Sequence, residues 1–211
     1  GHTAKHILPN YGVFDELRIF LFGPLPEPIA FKGCNLGVMI CEDMWYPEPA
    51  LALKDKEADL LIVLNASPYE GTKSITRLDI ARKRTAETGL PLLYVNQVGG
   101  QDELVFDGAS FAIDRQGKLA LQMEEFEDAL QPYSFILHDN EQWSFEKGPV
   151  NPEPENTASI YNALVLGLRD YVRKNDFPGV LIGLSGGRDS ALCASIATDA
   201  LGADKVHCVI M

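Results

Sequence analysis

The sequence has few basic residues relative to acidic ones, and this limits the partners that it can take. Its 211 residues include 18 Lys and Arg against 30 Asp and Glu, which gives a formal net charge of −12. Such a surface repels nucleic acid and anionic membranes, so we expect neither as a partner. It repels ATP as well, and any nucleotide site must therefore carry local donors that overcome the overall field.

Long apolar segments are also missing. Residues 17–31 are mainly apolar, but Arg18, three prolines and Glu27 interrupt them. A membrane helix needs about 20 consecutive apolar residues, so we expect none. The first residues, GHTAKHILPN, lack the apolar centre of a secretory signal, and we expect no signal peptide.

The four cysteines lack the spacing of a metal site. No two of Cys34, Cys41, Cys193 and Cys208 form a C-x-x-C pair, and no histidine cluster accompanies them, so a zinc site is not expected. Cys193 and Cys208 lie in apolar patterns and are predicted to be buried thiols. Unpaired thiols of this kind indicate a reducing cytoplasm.

What the sequence does contain is a glycine turn between an apolar run and a helical pattern. The run 180–184 (VLIGL) stops at Ser185-Gly186-Gly187, and a helix is predicted to open around Asp189. Glycines permit positive φ and close backbone approach, and a helix N-terminus presents free N–H groups and a positive dipole end. We therefore predict an anion site, with polyphosphate as its natural guest.

The motif SGGRDS distinguishes this turn from two commoner phosphate loops. It lacks the lysine of the Walker loop, and its glycines are not spaced as in dinucleotide folds. It resembles the SGGxDS loop of ATP pyrophosphatases, which activate a carboxyl or carbonyl oxygen as an adenylate. The alternatives are an ordinary strand–helix turn and, for Asp189, a helix N-cap role. By resemblance, the ATP-binding residues are Gly183, Leu184, Ser185, Gly186, Gly187, Arg188, Asp189 and Ser190.

Elsewhere, apolar runs alternate with helical patterns and predict a layered α/β sheet. Strand-like runs cover residues 36–40, 60–64 and 92–95. A helix is predicted over 74–88 with Gly89 as its C-cap, and a hairpin over 106–114 and 118–122.

The composition changes near residue 140, which suggests two domains. Residues 139–156 are polar and rich in proline, as in an interdomain linker. We predict a first domain over 1–140, a linker over 141–156 and a second domain over 157–211. The second domain opens with an amphipathic helix and ends in a strand over 206–210. The predicted apolar stripe of that helix contains Ile160, Ala163, Leu164, Gly167, Leu168, Tyr171 and Val172.

A second set of reactive residues surrounds the motif GVMICEDMWYPEP. Cys41 follows a buried apolar strand, where a nucleophile is both held and exposed. A thiol needs a base or a nearby cation to become a thiolate, and the chain offers Lys5, Glu16 and Glu42. Taken alone, an apolar-strand cysteine is more often part of a core, and a lone lysine is more often a solvated charge.

Together these residues resemble the nitrilase superfamily, whose amidases use a Glu-Lys-Cys triad on an αββα sandwich. The resemblance implies that Cys41 is the nucleophile, that Lys5 stabilises the oxyanion and that Glu16 is a supporting glutamate. It also implies a general-base glutamate upstream of Lys5, where residues 1–4 offer none. The implied fold is a partial αββα sandwich followed by the start of a doubly wound parallel α/β nucleotide-binding domain.

The joint pattern resembles one family more closely. LPNYGVFDE, ICEDMW, NASPY and YVNQVGGQDELVFDGAS are similar to the glutaminase domain of glutamine-dependent NAD synthetases, in which an SGGxDS domain follows. The resemblance implies that Cys41 hydrolyses glutamine and that the ammonia amidates deamido-NAD through an adenylate. It further implies that Tyr11, Ser67 and Lys73 position glutamine. Their alternative interpretations are a core tyrosine, a turn serine and a surface lysine.

The same resemblance implies the ligands of the enzyme. They are glutamine, ATP and deamido-NAD, with Mg²⁺ accompanying ATP at Asp189, and no tightly bound organic cofactor is predicted. Homo-oligomers are expected. Residues 97–102 are predicted either to line the glutaminase pocket or ammonia route, or to be a structural turn.

Two alternatives stay open at this stage. The chain could be an amidase joined to an ATP pyrophosphatase that amidates another carboxylate, or a catalytically inert piece. We also expect it to be a fragment, truncated at both ends.

Overall fold

The structure is a computed structural model that describes residues 1–139, 142–151 and 155–210. Its four α-helices are α1 (Pro47–Asp55), α2 (Lys73–Thr88), α3 (Asn156–Lys174) and α4 (Arg188–Leu201). Three short 3-10 helices cover Glu16–Arg18, Cys41–Trp45 and Ala203–Lys205. The strands are β1 (Ile29–Phe31), β2 (Cys34–Ile40), β3 (Leu60–Asn65), β4 (Leu92–Asn96), β5 (Val98–Gln101), β6 (Leu104–Asp107), β7 (Phe111–Ile113), β8 (Leu119–Gln122), β9 (Phe135–Leu137), β10 (Trp143–Phe145), β11 (Val180–Leu184) and β12 (Val206–Ile210).

The main sheet has the strand order β1-β2-β3-β4-β7-β8. Its central strands β2, β3 and β4 are parallel, in the positions that the three apolar runs predict, and the flanking pairs are antiparallel. Alternate central residues such as Met39, Val63 and Leu92 are fully buried beneath α1 and α2. The other face is less covered, since Leu64 and Val95 are exposed. The α/β class is confirmed, and the β2–β3–β4 carboxyl ends meet at one edge.

Helix α2 confirms its predicted end. Gly89 has φ +70 and donates its N–H to Thr85 O at 2.7 Å, as a left-handed C-cap requires. The predicted hairpin is only partly correct. Strands β7 and β8 pair as expected, but Phe106 and Asp107 belong to β6, which pairs with β5. The chain turns between β6 and β7 because Gly108 and Ala109 both have positive φ.

The second α/β unit consists of α3, α4 and the parallel pair β11–β12. Cys193 and Cys208 are exposed, so the prediction that they are buried thiols is wrong. The apolar patterns around both cysteines are typical of helices and strands that have one face packed against another layer. In the described residues, however, β11 and β12 form a two-stranded sheet whose Leu181 and Ile210 are largely exposed. Of the two helices in this described part, only α4 packs closely against β11 and β12, so most apolar positions of the two strands lack a covering layer.

The predicted stripe on α3 is also only partly correct. Ala163 and Val172 are buried as expected, whereas Ile160 and Leu164 are exposed and Leu166, outside the stripe, is buried. The reason is that α3 packs against two neighbours, the β5–β6 hairpin and α4. Its buried positions therefore do not fall on a single stripe.

The predicted linker contains more structure than its composition indicates. Strand β10 lies within it and pairs antiparallel with β9, which precedes the linker, and the rings of Phe135 and Trp143 stack 5.2 Å apart. Residues 140–141, at the predicted boundary, and residues 152–154 lie outside the described residues. Helix α3 begins at Asn156, the last residue of the predicted linker.

Within the described ranges, none of the helices has the length and apolar character that a membrane crossing would require.

Candidate active site

Cys41 lies at the carboxyl end of β2, in a backbone conformation that residues other than glycine rarely adopt. Ile40 is extended, and Cys41 then takes φ +51 as it opens the 3-10 helix Cys41–Trp45. A non-glycine residue in this left-handed region costs of order 1–3 kcal/mol, and such residues cluster at functional sites. The turn places the half-buried thiol in a cavity at the carboxyl edge of the main sheet.

Lys5 and Glu16 line the same cavity as Cys41, as the sequence predicts. The Lys5 ammonium contacts both carboxylate oxygens of Glu16, at 2.6 and 2.7 Å, and both side chains are largely buried. The volume of the cavity is about 450 Å³, enough for a small amide substrate. The other lining residues are mainly apolar: Ala4, Leu8, Phe14, Phe20, Leu21, Ile40, Leu64 and Ala66.

The surroundings of Cys41 favour the neutral thiol. Burial is the largest effect and raises the pKa of the Cys41 thiol, Lys5 lowers it, and the carboxylates of Glu42 and Glu16 raise it. The net shift is upward. At neutral pH the thiol therefore keeps its proton until a base accepts it.

Tyr11, predicted to position glutamine, lies beside this thiol. Its hydroxyl donates to the carboxylate of Glu42, with distances of 3.0 and 2.9 Å to the two oxygens. Burial and this hydrogen bond raise the pKa of Tyr11, so the phenol stays protonated and remains a donor. Glu42 is itself buried. The sequence offered Glu42 only as a neighbour of Cys41, and its pairing with Tyr11 across 31 residues gave no local signal.

Ser67 and Lys73 do not line the cavity, although Ser67 directly follows the lining residue Ala66. Ser67 is buried: its Oγ accepts from Arg77 Nε at 3.2 Å, and its N–H donates to Asn96 Oδ1 at 2.9 Å. Lys73 opens α2 and pairs with Glu70 at 2.8 Å. Their predicted contacts with glutamine stay predictions.

Arg77 anchors the loop that carries Ser67. Its guanidinium pairs with Asp107 at 2.6 Å and donates to the carbonyls of Ser67 and Pro68 at 2.8 and 2.9 Å. Arg77 is 2% exposed and Asp107 is 1% exposed. This buried pair ties α2 to β6 and fixes the backbone at the end of β3. Its members lie 30 residues apart, so no local sequence pattern predicts it.

The predicted phosphate loop follows β11 and is open to solvent. Gly186 has φ +79, and its backbone conformation favours glycine although the space around it is free. Ser190 Oγ donates to Gly187 O at 3.1 Å and lies 3.2 Å from Ser185 Oγ, which closes the turn. The exposed loop leads into the N-terminus of α4, a geometry that suits an anion.

Asp189 does not cap α4, so that alternative is wrong. The N-cap residue is Gly187, and Asp189 lies within the first turn with its side chain exposed. Among the residues that the structure describes, no group of three or more metal-binding side chains is present. One carboxylate fits a metal ion that arrives bound to ATP, whose phosphates supply other oxygens.

Comparison with known proteins assigns the first part of the chain. The family model described as carbon-nitrogen hydrolase matches residues 1–143, more than half of the chain. The chain belongs to the carbon-nitrogen hydrolase family. A second model, NAD synthase, matches residues 160–211, so the two follow in the expected order.

Two relatives of this carbon-nitrogen hydrolase family member align with nearly the whole chain, across both parts. The chain is 46% identical over 211 residues to the glutamine-dependent NAD(+) synthetase of Rhodobacter capsulatus, covering 100% of this chain and 38% of that protein. A solved glutamine-dependent NAD+ synthetase from Acinetobacter baumannii, in complex with ADP, is 43% identical with a TM-score of 0.91, covering 98% of this chain and 39% of that one. A carbon-nitrogen hydrolase from Helicobacter pylori is 28% identical with a TM-score of 0.54, covering 59% and 48%. The nitrilase-like fold is confirmed.

Residues 97–102 hold the carbon-nitrogen hydrolase part against the NAD synthase part. Asp170 Oδ2 accepts from Gly100 N at 2.8 Å, and Lys174 Nζ donates to Gly100 O at 2.5 Å. A Cβ on Gly100 would lie 3.1 Å from Gly167 Cα. These contacts favour the structural interpretation of the segment, since none of its residues lines the cavity of Cys41.

Replacement of Lys5 by methionine should raise the pKa of the Cys41 thiol. The change removes the one group that lowers this pKa through its charge, and it leaves Glu16 without its partner. The rate of iodoacetamide modification of the Cys41 peptide, followed by mass spectrometry against pH, should shift to higher pH. Lys83→Met is the matched control, because Lys83 is exposed on α2 and does not line the cavity; equal profiles for all three proteins would contradict the assignment.

Proposed function

We propose that this chain belongs to a glutamine-dependent NAD synthetase, in which ammonia released from glutamine amidates deamido-NAD. The observation that carries the proposal is the order of two sites in one chain, a Cys41–Lys5–Glu16 cavity followed by the SGGRDS loop. The chain spans 38% of the length of the Rhodobacter capsulatus relative, so the activity of the whole protein is part of the proposal.

In the first half-reaction, the Cys41 sulfur attacks the side-chain amide carbon of glutamine. The Lys5 ammonium, fixed by Glu16, stabilises the oxyanion, the C–N bond breaks and ammonia leaves with the proton that the thiol gave up. Water then hydrolyses the thioester to glutamate. Glu16 is bound to Lys5 and Glu42 to Tyr11, so we assign the general base to a further glutamate, as the family resemblance implies.

The fixed groups around the thiol suit the recognition of glutamine. The apolar walls hold the methylene groups of the substrate, and Tyr11, Ser67 and Lys73 are proposed to position its polar ends. Lys73 offers a cation for the carboxylate, and Tyr11 offers a hydroxyl that Glu42 orients. Ser67 acts through the loop that Arg77 holds in place.

In the second half-reaction, MgATP is the co-substrate of the SGGRDS loop. The backbone from Gly183 to Ser190 is proposed to hold the phosphates, with Asp189 contacting Mg²⁺. The deamido-NAD carboxylate attacks the α-phosphorus, pyrophosphate leaves, and ammonia then displaces AMP from the adenylate. The complex of the Acinetobacter baumannii relative with ADP supports nucleotide binding. Domains over 1–140 and 157–211, a cytoplasmic location and a homo-oligomer complete the proposal.

The test is a product analysis of the full-length protein with MgATP, glutamine and deamido-NAD. We expect NAD, AMP, pyrophosphate and glutamate to form, and NAD to be absent when ATP is omitted. Glutamate release without amidation of deamido-NAD would overturn the proposed ligase, and amidation of another carboxylate in a parallel assay would then favour the alternative acceptor. No glutamate release would overturn the glutaminase.

A further inference from the structure

Asp43 is a buried carboxylate close to the nucleophile. It lies two residues after Cys41 and is 1% exposed. Its described hydrogen bonds are all with backbone N–H groups: Oδ1 accepts from His6 and Ile7 at 3.0 and 2.8 Å, and Oδ2 accepts from Ile40 at 3.0 Å. A carboxylate is expensive to bury, and three N–H donors are what offset that cost.

The backbone groups that bind Asp43 belong to direct sequence neighbours of Cys41 and of Lys5. Ile40 directly precedes Cys41, and its bond to Asp43 closes the turn in which Cys41 has φ +51. His6 and Ile7 directly follow Lys5. One side chain therefore holds both the turn of the nucleophile and the extended segment of the oxyanion lysine, which are 36 residues apart in sequence.

The Lys5 segment has a second support on its other side. Gly23 N donates to Lys5 O at 2.7 Å, and His6 Nδ1 lies 2.7 Å from Gly23 O. Gly23 belongs to the segment 17–31, whose side chains from Ile19 to Phe22 are exposed. The Gly23 contacts therefore hold the Lys5 segment to another loop, whereas the Asp43 contacts fix it relative to Cys41.

We propose that Asp43 is a positioning residue that sets the placement of the Lys5 ammonium against the Cys41 thiol. The catalytic meaning of this assignment rests on the proposed glutaminase function. The placement of Lys5 against Cys41 can be tested independently of that function, because iodoacetamide modifies the thiol in the absence of glutamine.

The test is Asp43→Asn in the full-length protein, with the Cys41 peptide followed by mass spectrometry. The amide cannot accept from donors on both sides, since one oxygen becomes an N–H₂ group. Loss of a negative charge alone would lower the pKa of the thiol, whereas displacement of Lys5 raises it, as Lys5→Met does. The charged and titratable groups that face Cys41 are Lys5, Glu42, Glu16, Tyr11 and Tyr94.

We expect the alkylation profile of Asp43→Asn to shift to higher pH, toward that of Lys5→Met. In the Lys5→Met background, Asp43→Asn should cause no further upward shift, because the two changes act on one interaction. The glutaminase kcat should fall about 100-fold with little change in KM, the cost of a misplacement near 1 Å. Asp59→Asn is the matched control, since Asp59 also accepts a backbone N–H, from Asn35, but away from the cavity.

A profile of Asp43→Asn that shifts to lower pH, or an upward shift that persists in the Lys5→Met background, would overturn the proposal. If Asp43→Asn does not fold, as judged by circular dichroism, Asp43→Glu replaces it, because it keeps the charge and moves the carboxylate by one methylene. An unchanged Cys41 profile in folded Asp43→Glu, with unchanged kcat, would equally overturn it. Failure of the proposed function would instead appear as absent glutamate release in the unmodified protein.

Discussion

Replacement of Cys41 by alanine should abolish glutamine-supported amidation and leave ammonium-supported amidation intact. Without the sulfur no thioester forms, and loss of a catalytic nucleophile lowers kcat by on the order of 10⁶-fold in the protease subtilisin. Free ammonia should bypass this step, because it can react with the proposed adenylate without glutamine. NAD formation in the full-length protein, measured with glutamine and with ammonium salts, separates the two half-reactions.

Cys193→Ala is the matched control for this prediction. Cys193 is exposed on α4, outside the cavity, and its loss should leave both nitrogen sources active. Equal loss of both activities in Cys41→Ala would indicate that Cys41 supports the fold rather than the chemistry. Retention of glutamine-supported activity would exclude Cys41 as the nucleophile. The substitution leaves the backbone strain at position 41 unchanged, because alanine has the same restrictions on φ as cysteine.

Residues that occupy short motifs could be predicted from the sequence. The central strands appeared as apolar runs because parallel strands are covered on both faces in complete α/β folds. Cys41 followed such a run, and Lys5 and Glu16 stood in one motif 11 residues apart, where a single ion pair joins them. The SGGRDS loop was visible because Gly186 has a conformation that glycine favours.

The buried polar contacts that hold the site in place could not be predicted in the same way. Asp43 contacts backbone groups of His6 and Ile7, and a backbone N–H leaves no trace in residue identity. Arg77 lies within the helix predicted over 74–88, where nothing distinguishes it from the other polar residues, yet it is buried against Asp107. Such pairings depend on how distant elements meet, which periodicity does not report.

The role of Gly99 and Gly100 could not be predicted from the sequence either. Their pattern was compatible with a pocket, an ammonia route or a turn. The structure shows a reason that requires α3. Gly100 donates its N–H to Asp170 and accepts from Lys174 at its carbonyl, and a Cβ at this position would lie only 3.1 Å from Gly167 Cα. The contact joins residues 70 and 74 positions apart, so no local window contains it.

Replacement of Arg77 by methionine should lower the free energy of unfolding by about 3–5 kcal/mol, because it leaves the Asp107 carboxylate buried without its cation. Exposed pairs contribute far less, typically under about 1 kcal/mol. Lys56→Met therefore serves as control: Lys56 pairs with Glu27 at a similar distance, 2.7 Å against 2.6 Å, but on the surface. Urea unfolding of both variants gives the comparison.

The double variant Arg77→Met with Asp107→Leu separates charge burial from packing. If the unpaired carboxylate causes the loss, removing it should recover part of the stability, since apolar replacement of a buried pair is often tolerated. The carbonyls of Ser67 and Pro68 would still lack the guanidinium donor, so recovery should be incomplete. If Arg77→Met is as stable as Lys56→Met, Arg77 does not anchor the Ser67 loop. The proposed role of that loop in glutamine binding would then lose its support.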